Sequence, residues 1–290
     1  MVKKFSKPHM SRIINGDIEV ASAPEAEDKS RLDMALLAKY PGYNRSTLQK
    51  YIKNGQVKVN GEIAEKPNTL VSVTDELDLL EKAMPERPEV TTIYEDENVL
   101  VLDKPEGTLS VSKGDFNPEP TMEEFGIIVH RLDRDTSGVM ILAKNEDTRA
   151  MLQRQFQERK THKTYNAVVV GEPDLPEAII DVPLARNMSK PTTFVADPEG
   201  REAITQYKVL DRSEHYSLLE LKPQTGRTHQ LRVHMKHIGT PILGDPVYGN
   251  TPAKRMFLHA SELEITIPGG IRKTFKSELP RAFTDVLRED

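Results

Sequence analysis

The 290-residue sequence contains no cysteine and no tryptophan. Without cysteine there can be no disulfide framework, no cysteine nucleophile and no cysteine-ligated zinc, and the composition suits a reducing compartment. No apolar run is long enough to span a membrane, and the first residues lack the apolar segment of a secretory signal. Glycine-rich phosphate loops and strand–helix alternation are also missing, which argues against a doubly wound nucleotide-binding sheet. We therefore expect a cytoplasmic protein without a membrane partner.

The charge is mildly acidic overall but unevenly distributed. The formal net charge is −5, so a protein of this composition that binds a polyanion must gather its basic residues on one surface. Between positions 31 and 60 only one acidic residue occurs, Asp33, against six basic ones: Arg31, Lys39, Arg45, Lys50, Lys53 and Lys58. Such a cluster indicates contact with phosphates, and the alternative is an ordinary solvated helix face.

The same region predicts two short helices followed by a hairpin. Apolar spacing predicts a helix from Leu32 that ends at Pro41, and Asn44 is a suitable N-cap for a second helix that ends near Gly55. The dipeptide Asn60-Gly61 between alternating apolar residues predicts a tight hairpin turn. These features in this order resemble an S4-like RNA-binding domain. The resemblance implies that RNA is bound through the two helices. From the basic cluster, the predicted RNA-binding residues are Arg31, Arg45, Lys50, Lys53 and Lys58.

The chain divides into four segments on this reading. Residues 1–16 form a flexible basic arm, and residues 17–84 form the S4-like domain. Two closely spaced prolines make residues 85–89 a stiff linker. Residues 90–290 form a larger second domain. Its successive apolar runs, separated by glycine, proline and aspartate, predict mostly antiparallel strands.

Three charged or polar blocks in the second domain carry the functional signal. The first, residues 130–138, reads His-Arg-Leu-Asp-Arg-Asp-Thr-Ser-Gly and lies between two apolar runs that predict buried strands. The second, Lys163-Thr164-Tyr165, begins another strand. The third, residues 226–237, reads Gly-Arg-Thr-His-Gln-Leu-Arg-Val-His-Met-Lys-His and has the spacing of a helix. From charge density alone, the first block equally fits a solvated, salt-bridged loop.

Two other functions compete on residue types alone. His229, His234 and His237 cluster as metal ligands do, although no nearby carboxylate supports them. Asp133 and Asp135 are two apart and would share a face of a strand, as a glycosidase carboxylate pair could. An aromatic content of 6% leaves little material for a sugar-stacking cleft.

Taken together and in this order, the three blocks resemble the motifs of the RluA-type family of RNA pseudouridine synthases. The resemblance implies that Asp133 is the catalytic carboxylate, that Tyr165 forms a wall on which the target base stacks, and that Arg227 pairs with Asp133. Arg131 would fill the gap left by an extruded base. The further substrate-binding candidates are His130, Lys104 of a Lys-Pro-Glu-Gly segment, and Leu258 of a Leu-His-Ala segment. The family implies no metal and no cofactor.

We therefore predict an α+β protein in which a small S4-like domain, two helices plus a hairpin, precedes a large pseudouridine synthase domain. The large domain is built on a mixed, mostly antiparallel β-sheet flanked by helices and loops. The predicted function is isomerisation of specific uridines in structured RNA, with large-subunit ribosomal RNA first and transfer RNA second, by a monomer. The alternative is a non-catalytic RNA-binding or ribosome-assembly factor. Residues 112–125 are shorter than is usual in the family, so one wall of the cleft is not predicted.

Overall fold

The computed structural model describes residues 29–80, 89–112 and 120–289. The predicted basic arm at 1–16, the beginning of the first domain at 17–28 and nearly all of the predicted linker at 85–89 lie outside these ranges. The domain boundaries therefore stay predictions. Within the described ranges, no helix combines the length and the apolar character that crossing a bilayer requires.

The N-terminal domain contains the two predicted helices and the predicted hairpin. Its elements are β1 (Ser30–Arg31), α1 (Leu32–Lys39), α2 (Arg45–Lys53), β2 (Val57–Val59), β3 (Glu62–Ile63), β4 (Leu70–Val71) and β5 (Leu77–Leu79). Asn44 caps α2 by accepting a hydrogen bond from the Thr47 amide at 2.9 Å. Asn60 and Gly61 connect β2 to β3 with φ values of 51° and 83°, the left-handed conformation that a two-residue hairpin turn needs.

Packing rather than helix length stabilises this domain. Helices of eight and nine residues are too short to be stable alone in water. Leu32 and Leu36 of α1 and Leu48 and Ile52 of α2 are fully buried in one apolar cluster. The small core therefore fixes the two helices against each other and leaves the remaining face of α2 exposed to solvent.

The C-terminal domain contains the other twelve strands and three α-helices of the described chain, with a short 3-10 helix at Met122–Glu124. They are β6 (Thr91–Glu95), β7 (Val99–Lys104), β8 (Ile127–Ile128), β9 (Ser137–Ala143), α3 (Glu146–Gln157), β10 (His162–Val170), β11 (Glu177–Asp181), β12 (Leu184–Arg186), β13 (Phe194–Ala196), β14 (Ile204–Arg212), β15 (Tyr216–Pro223), α4 (Gln230–His237), β16 (Leu258–Ile267), β17 (Ile271–Lys276) and α5 (Ala282–Arg288). The third charged block thus includes helix α4, as its spacing predicts.

A single ten-stranded sheet organises this domain. Its strand order is β11-β14-β15-β10-β16-β9-β7-β6, with β17 paired to β16 and β8 to β9. Every pairing is antiparallel except that of β9 with β16. The prediction of a mixed, mostly antiparallel sheet is confirmed. Helix α3 packs on the sheet through Leu152, in one apolar cluster. Helix α4 packs on it through Leu231 and Met235, in a second cluster.

The parallel pairing of β9 with β16 holds the end of the first charged block against the start of β16. Gly138 pairs with Ala260, and its φ of 114° lies in a region that favours glycine. A Cβ added at this position would lie 2.2 Å from the Ala260 carbonyl oxygen. Glycine is therefore required for the two backbones to meet here, directly after the loop that carries Asp133.

Candidate active site

A cavity of about 560 Å³ lies where the three blocks meet. The loop before β9 contributes Asp133, the start of β10 contributes Tyr165, and the segment that leads into α4 contributes Arg227 and Arg232. Leu258, the first residue of β16, also lines it. Positions more than 100 residues apart in the sequence thus share one pocket because β9, β10 and β16 are neighbours in the sheet.

Arg232 holds Asp133 in place within the pocket. The Arg232 Nη1 donates to Asp133 Oδ2 at 3.2 Å, while its Nε and Nη2 both donate to the Asp245 carboxylate at 2.7 Å. Asp245 is buried and also accepts the amide protons of Val247 and Tyr248. Burial raises the pKa of Asp245. The hydrogen bonds and charge of Arg232 lower that pKa by more than burial raises it, so the net shift is downward. Asp245 therefore fixes the guanidinium that faces Asp133.

The predicted pairing of Asp133 with Arg227 is wrong, because Arg232 occupies that place. Arg227 lines the pocket, but its Nε donates to the Glu202 carbonyl oxygen at 2.9 Å. Arg227 lies in the loop before α4, whereas Arg232 lies in the first turn of the helix. A side chain in a helix leans back toward the N-terminus, which carries the Arg232 guanidinium to Asp133.

A signal in the sequence points to Arg232. It stands between Leu231 and Val233 in a helix that must pack on the sheet, so it is a candidate for a buried cation. Asp245 lies in the Gly-Asp-Pro segment downstream and is a candidate for its buried partner. Buried charges in proteins are normally paired. Reading the block as a helix with a buried face would have favoured Arg232 over the loop residue Arg227.

Tyr165 and Leu258 form a wall of the pocket beside Asp133. They lie on adjacent strands, where Tyr165 pairs with Ala260 and Leu258 with Ala167. Burial raises the pKa of the Tyr165 hydroxyl, and the charge of Asp133 raises it further, so the ring is neutral in any ordinary buffer. An aromatic face and an aliphatic side chain offer a surface on which a planar base could stack.

Lys104 does not line the pocket, so its predicted contact with substrate is not supported. It is fully buried, and its Nζ donates to the carbonyl oxygens of Pro105, Thr108 and Arg134 at 2.8–3.0 Å. An ammonium group has three protons to donate, and these three acceptors use all of them. Lys104 instead ties the loop after β7 to the residue that follows Asp133.

His130 and Arg131 both line the pocket and differ in their surroundings. The His130 ring stacks on Phe156 at 4.6 Å between centroids, and its Nε2 accepts the Ile141 amide proton at 3.1 Å. Burial, with help from the nearby charge of Lys163, lowers the pKa of His130 to about 3. The imidazole is therefore neutral and supports the wall. Arg131 is exposed at the pocket.

The pocket has the charge expected for a polyanionic ligand. Its described lining contains five basic side chains, those of Arg131, Arg159, Lys163, Arg227 and Arg232, and a single carboxylate, that of Asp133. Asp135 is not among these residues, so a glycosidase pair is not formed. The proposed histidine metal cluster also fails, because both ring nitrogens of His234 are bonded to Thr205 and Val182.

In the N-terminal domain, two of the predicted RNA-binding residues are organised by Asp33. The buried Asp33 carboxylate accepts hydrogen bonds from Arg31 at 3.0 Å, Arg45 at 2.9 Å and Gln49 at 2.6 Å. Both arginine side chains are nearly half exposed. Lys50 and Lys53 of α2 are exposed, whereas Lys58 of β2 is only partly so. The structure brings Arg31 and Arg45 together and leaves their outer edges open to solvent.

Comparisons with known proteins find matches to both domains of the chain. The sequence model described as RNA pseudouridylate synthase matches residues 98–237, and that described as S4 domain matches residues 30–77. The chain is 31% identical over 303 residues to "Ribosomal large subunit pseudouridine synthase D" of Escherichia coli K12, covering 92% of each chain. The chain belongs to the RNA pseudouridylate synthase family.

Other relatives extend across bacteria and to solved structures. "Ribosomal large subunit pseudouridine synthase D" of Borreliella burgdorferi is 36% identical, with 90% of each chain covered. The structure of "Human RNA Pseudouridylate Synthase Domain Containing 4" aligns with a TM-score of 0.56 and 27% identity, over 68% of this chain and 91% of that one. As a member of the family, the protein is an RNA pseudouridine synthase, an isomerase with an S4 domain in front of its catalytic domain.

Proposed function

We propose that the protein isomerises specific uridines to pseudouridine in large-subunit ribosomal RNA, with Asp133 as the catalytic carboxylate. The observation that carries the proposal is the place of Asp133. Among the described residues it is the sole carboxylate of a basic pocket, and Arg232 donates to it. The printed names of the relatives, ribosomal large-subunit enzymes of similar length, favour ribosomal RNA over transfer RNA.

The reaction needs one carboxylate at the ribose and no redox step. The bond between N1 of uracil and C1′ of ribose breaks, the base turns, and C5 bonds to C1′. Asp133 either attacks the sugar or removes a sugar proton, and both steps require an ionised, oriented carboxylate. Arg232 supplies the counter-charge, and Asp245 fixes Arg232, so Asp133 is preorganised before RNA binds.

A uridine inside folded RNA must leave its stack to reach this pocket. Extrusion costs on the order of a few kcal/mol. In the proposed complex the base enters beside Tyr165 and Leu258, and the exposed Arg131 fills the gap left in the RNA. The remaining basic residues of the pocket contact the neighbouring phosphates, which offsets part of that cost.

The N-terminal domain is proposed to bind the RNA around the target. Its contacts are Arg31, Arg45, Lys50, Lys53 and Lys58, within an S4 domain that extends over residues 17–84, joined by the linker at 85–89 to a catalytic domain at 90–290. We propose that the protein acts as a monomer in the cytoplasm. Replacing Lys50 and Lys53 by glutamine should weaken RNA binding and reduce its salt dependence by about one unit of slope for each lysine.

The decisive experiment incubates the purified protein with transcripts of large-subunit ribosomal RNA and maps pseudouridine by chemical modification and primer extension. The unaltered protein should form pseudouridine, whereas Asp133→Asn should form none while keeping its RNA affinity within about two-fold. Asp135→Asn is the matched control and should stay active. Product formation by Asp133→Asn would refute the role of Asp133.

Two further outcomes redirect the proposal. Pseudouridine in transfer RNA transcripts but not in ribosomal transcripts would show that transfer RNA is the substrate. RNA binding without pseudouridine in either transcript, with the unaltered protein, would favour the non-catalytic RNA-binding factor.

A further inference from the structure

His229 stands at the entrance to α4 with an unusual backbone and a ring that faces Asp133. Its φ and ψ are 57° and 17°, in the left-handed region, which costs about 1–2 kcal/mol for a residue other than glycine. Its Nε2 lies 3.9 Å from Asp133 Oδ2, and the ring lines the pocket. Strain of this kind persists where the surroundings hold a residue in a functional position.

The surroundings of His229 hold its ring from the side away from Asp133. Its Nδ1 lies 2.7 Å from the Tyr248 hydroxyl oxygen, which also accepts the Phe194 amide proton at 2.9 Å. The Phe194 and Tyr248 rings contact the imidazole edge-on, with centroids 5.7 and 5.5 Å away. The ring therefore has one polar partner on Nδ1 and presents Nε2 to the pocket.

The partners of Tyr248 select one tautomer of His229. The Tyr248 hydroxyl oxygen accepts the Phe194 amide proton, and among the described residues His229 Nδ1 is the neighbour placed to accept the hydroxyl group's own proton. A neutral imidazole whose Nδ1 accepts must carry its proton on Nε2. Burial lowers the pKa of His229, and this outweighs the opposing charge of Asp133. The ring is thus neutral near pH 7.5, with Nε2–H as the donor that faces the pocket.

We propose that the Nε2–H of His229 donates a hydrogen bond to a carbonyl oxygen of the uracil as the base leaves the ribose. This inference rests on the proposed function. The 3.9 Å gap to Asp133 exceeds a hydrogen bond, so the donor is not spent on that carboxylate. Arg232, by contrast, already donates to both Asp133 and Asp245.

The chemistry of the step calls for such a donor. When the C1′–N1 bond breaks, its electron pair stays on uracil, which becomes an anion with charge shared by N1 and the two carbonyl oxygens. After the base turns, C5 bonds to C1′, and the proton lost from C5 ends on N1, so the product is an isomer of the substrate. A preorganised neutral donor stabilises charge that exists only during this step.

The test compares His229→Asn with His229→Gln in single-turnover reactions on the large-subunit transcript. Asparagine tolerates the left-handed backbone but lacks a donor at the Nε2 position, whereas the longer glutamine amide restores one. We expect His229→Asn to lower the rate constant about 100-fold and to leave the RNA Kd within about two-fold. His229→Gln should retain at least about ten times the Asn rate, and His237→Asn, on the exposed side of α4, should match the unaltered protein.

A spectroscopic measurement separates this role from a structural one. In ¹⁵N-histidine-labelled protein, His229 should show its proton on Nε2, and Tyr248→Phe should remove that preference. The inference is overturned if the Asn and Gln variants are equally impaired, if only the Kd changes, or if the proton lies on Nδ1. Failure of the unaltered protein to form pseudouridine would refute the proposed function and this inference together, whereas the other outcomes refute the inference alone.

Discussion

Arg232 joins Asp133 to Asp245 through a single guanidinium group. Its Nη1 is 3.2 Å from Asp133 Oδ2, and its Nε and Nη2 are each 2.7 Å from an oxygen of Asp245. Tyr248 adds a ring face, with its centroid 5.0 Å from the Arg232 Cζ atom. The two-bond fork to Asp245 fixes the plane of the guanidinium, so the position of Asp133 depends on a residue that does not line the pocket.

Replacing Arg232 should therefore impair both activity and stability. Arg232→Ala leaves Asp245 buried without a cation, which costs about 3–5 kcal/mol of unfolding free energy, and should abolish pseudouridine formation. Arg232→Lys restores the charge but not the two parallel hydrogen bonds to Asp245. It should therefore be more stable than Arg232→Ala and still lose at least about ten-fold in rate. Urea unfolding and single-turnover kinetics measure the two effects. Arg227→Ala is the control and should change stability by less than about 0.5 kcal/mol; a larger loss there than at Arg232 would contradict the assignment.

Lys104 is predicted to act on catalysis through the loop that carries Asp133. It donates to the Arg134 carbonyl oxygen, while Ser110 exchanges two hydrogen bonds with the backbone of Leu132. Both neighbours of Asp133 are thus held by the end of β7 and the segment that follows it. Lys104→Met should lower the single-turnover rate by about ten- to 100-fold, because a small displacement of a reacting group is costly.

The RNA Kd of Lys104→Met should be unchanged, because Lys104 lies outside the pocket. Lys144→Met removes an exposed lysine that follows β9 and pairs with Glu95, and should leave the rate unaffected. A rise in Kd without a change in rate would instead restore Lys104 as a substrate contact.

Gly138→Ala tests the close contact between β9 and β16. The added Cβ would lie 2.2 Å from the Ala260 carbonyl oxygen, so the two strands must separate. We expect a loss of more than about 3 kcal/mol in unfolding free energy, or failure to fold, measured by thermal and urea unfolding. Gly107→Ala is matched in its positive φ of 77° but has no atom within 4 Å of the added Cβ, and should cost only about 1–2 kcal/mol. Equal losses would show that backbone strain, not the contact, is responsible.

Asp33 should make the stability of the N-terminal domain sensitive to acid. Burial raises its pKa, but hydrogen bonds from Arg31, Gln49 and Arg45 lower it more, to about 2. Because this is below the unfolded value of about 3.9, the carboxylate stabilises the fold above pH 4, and that contribution is lost as the pH falls through about 2.

The size of the Asp33 effect is about 2–3 kcal/mol. A ¹³C NMR titration of the carboxyl group gives its pKa directly, and urea unfolding followed at the amides of α1 and α2 gives the energy. Asp33→Asn should remove this contribution to the acid dependence between pH 4 and 2, whereas Glu65→Gln, at an exposed carboxylate, should preserve it. A carboxyl pKa near 4 would show that the three hydrogen bonds do not favour the ionised form.

Local signals in the sequence were enough for the elements of the fold. Asn44 as a helix cap, Asn60-Gly61 as a hairpin turn and the α4 spacing of residues 230–237 each act through neighbours within a few positions. They are confirmed because short-range sterics and hydrogen bonding decide them. The order of the motifs along the chain was also enough to predict that Asp133, Tyr165 and Leu258 share one pocket.

Tertiary structure decided which charges meet, although the helical pattern around Arg232 favours it as a buried cation. Arg227 and Arg232 are five positions apart in one motif, and only the start of α4 and the buried Asp245 select the second as the partner of Asp133. The sequence favours Lys104 as a surface lysine, whereas in the fold it is buried and donates to three carbonyl groups from two loops. The sequence determined which chemistry the chain carries, because motif and residue type are local properties. The geometry of that chemistry was decided by the packing of β9, β10, β16 and α4, because pairing of buried charges depends on distances that the order of residues does not contain.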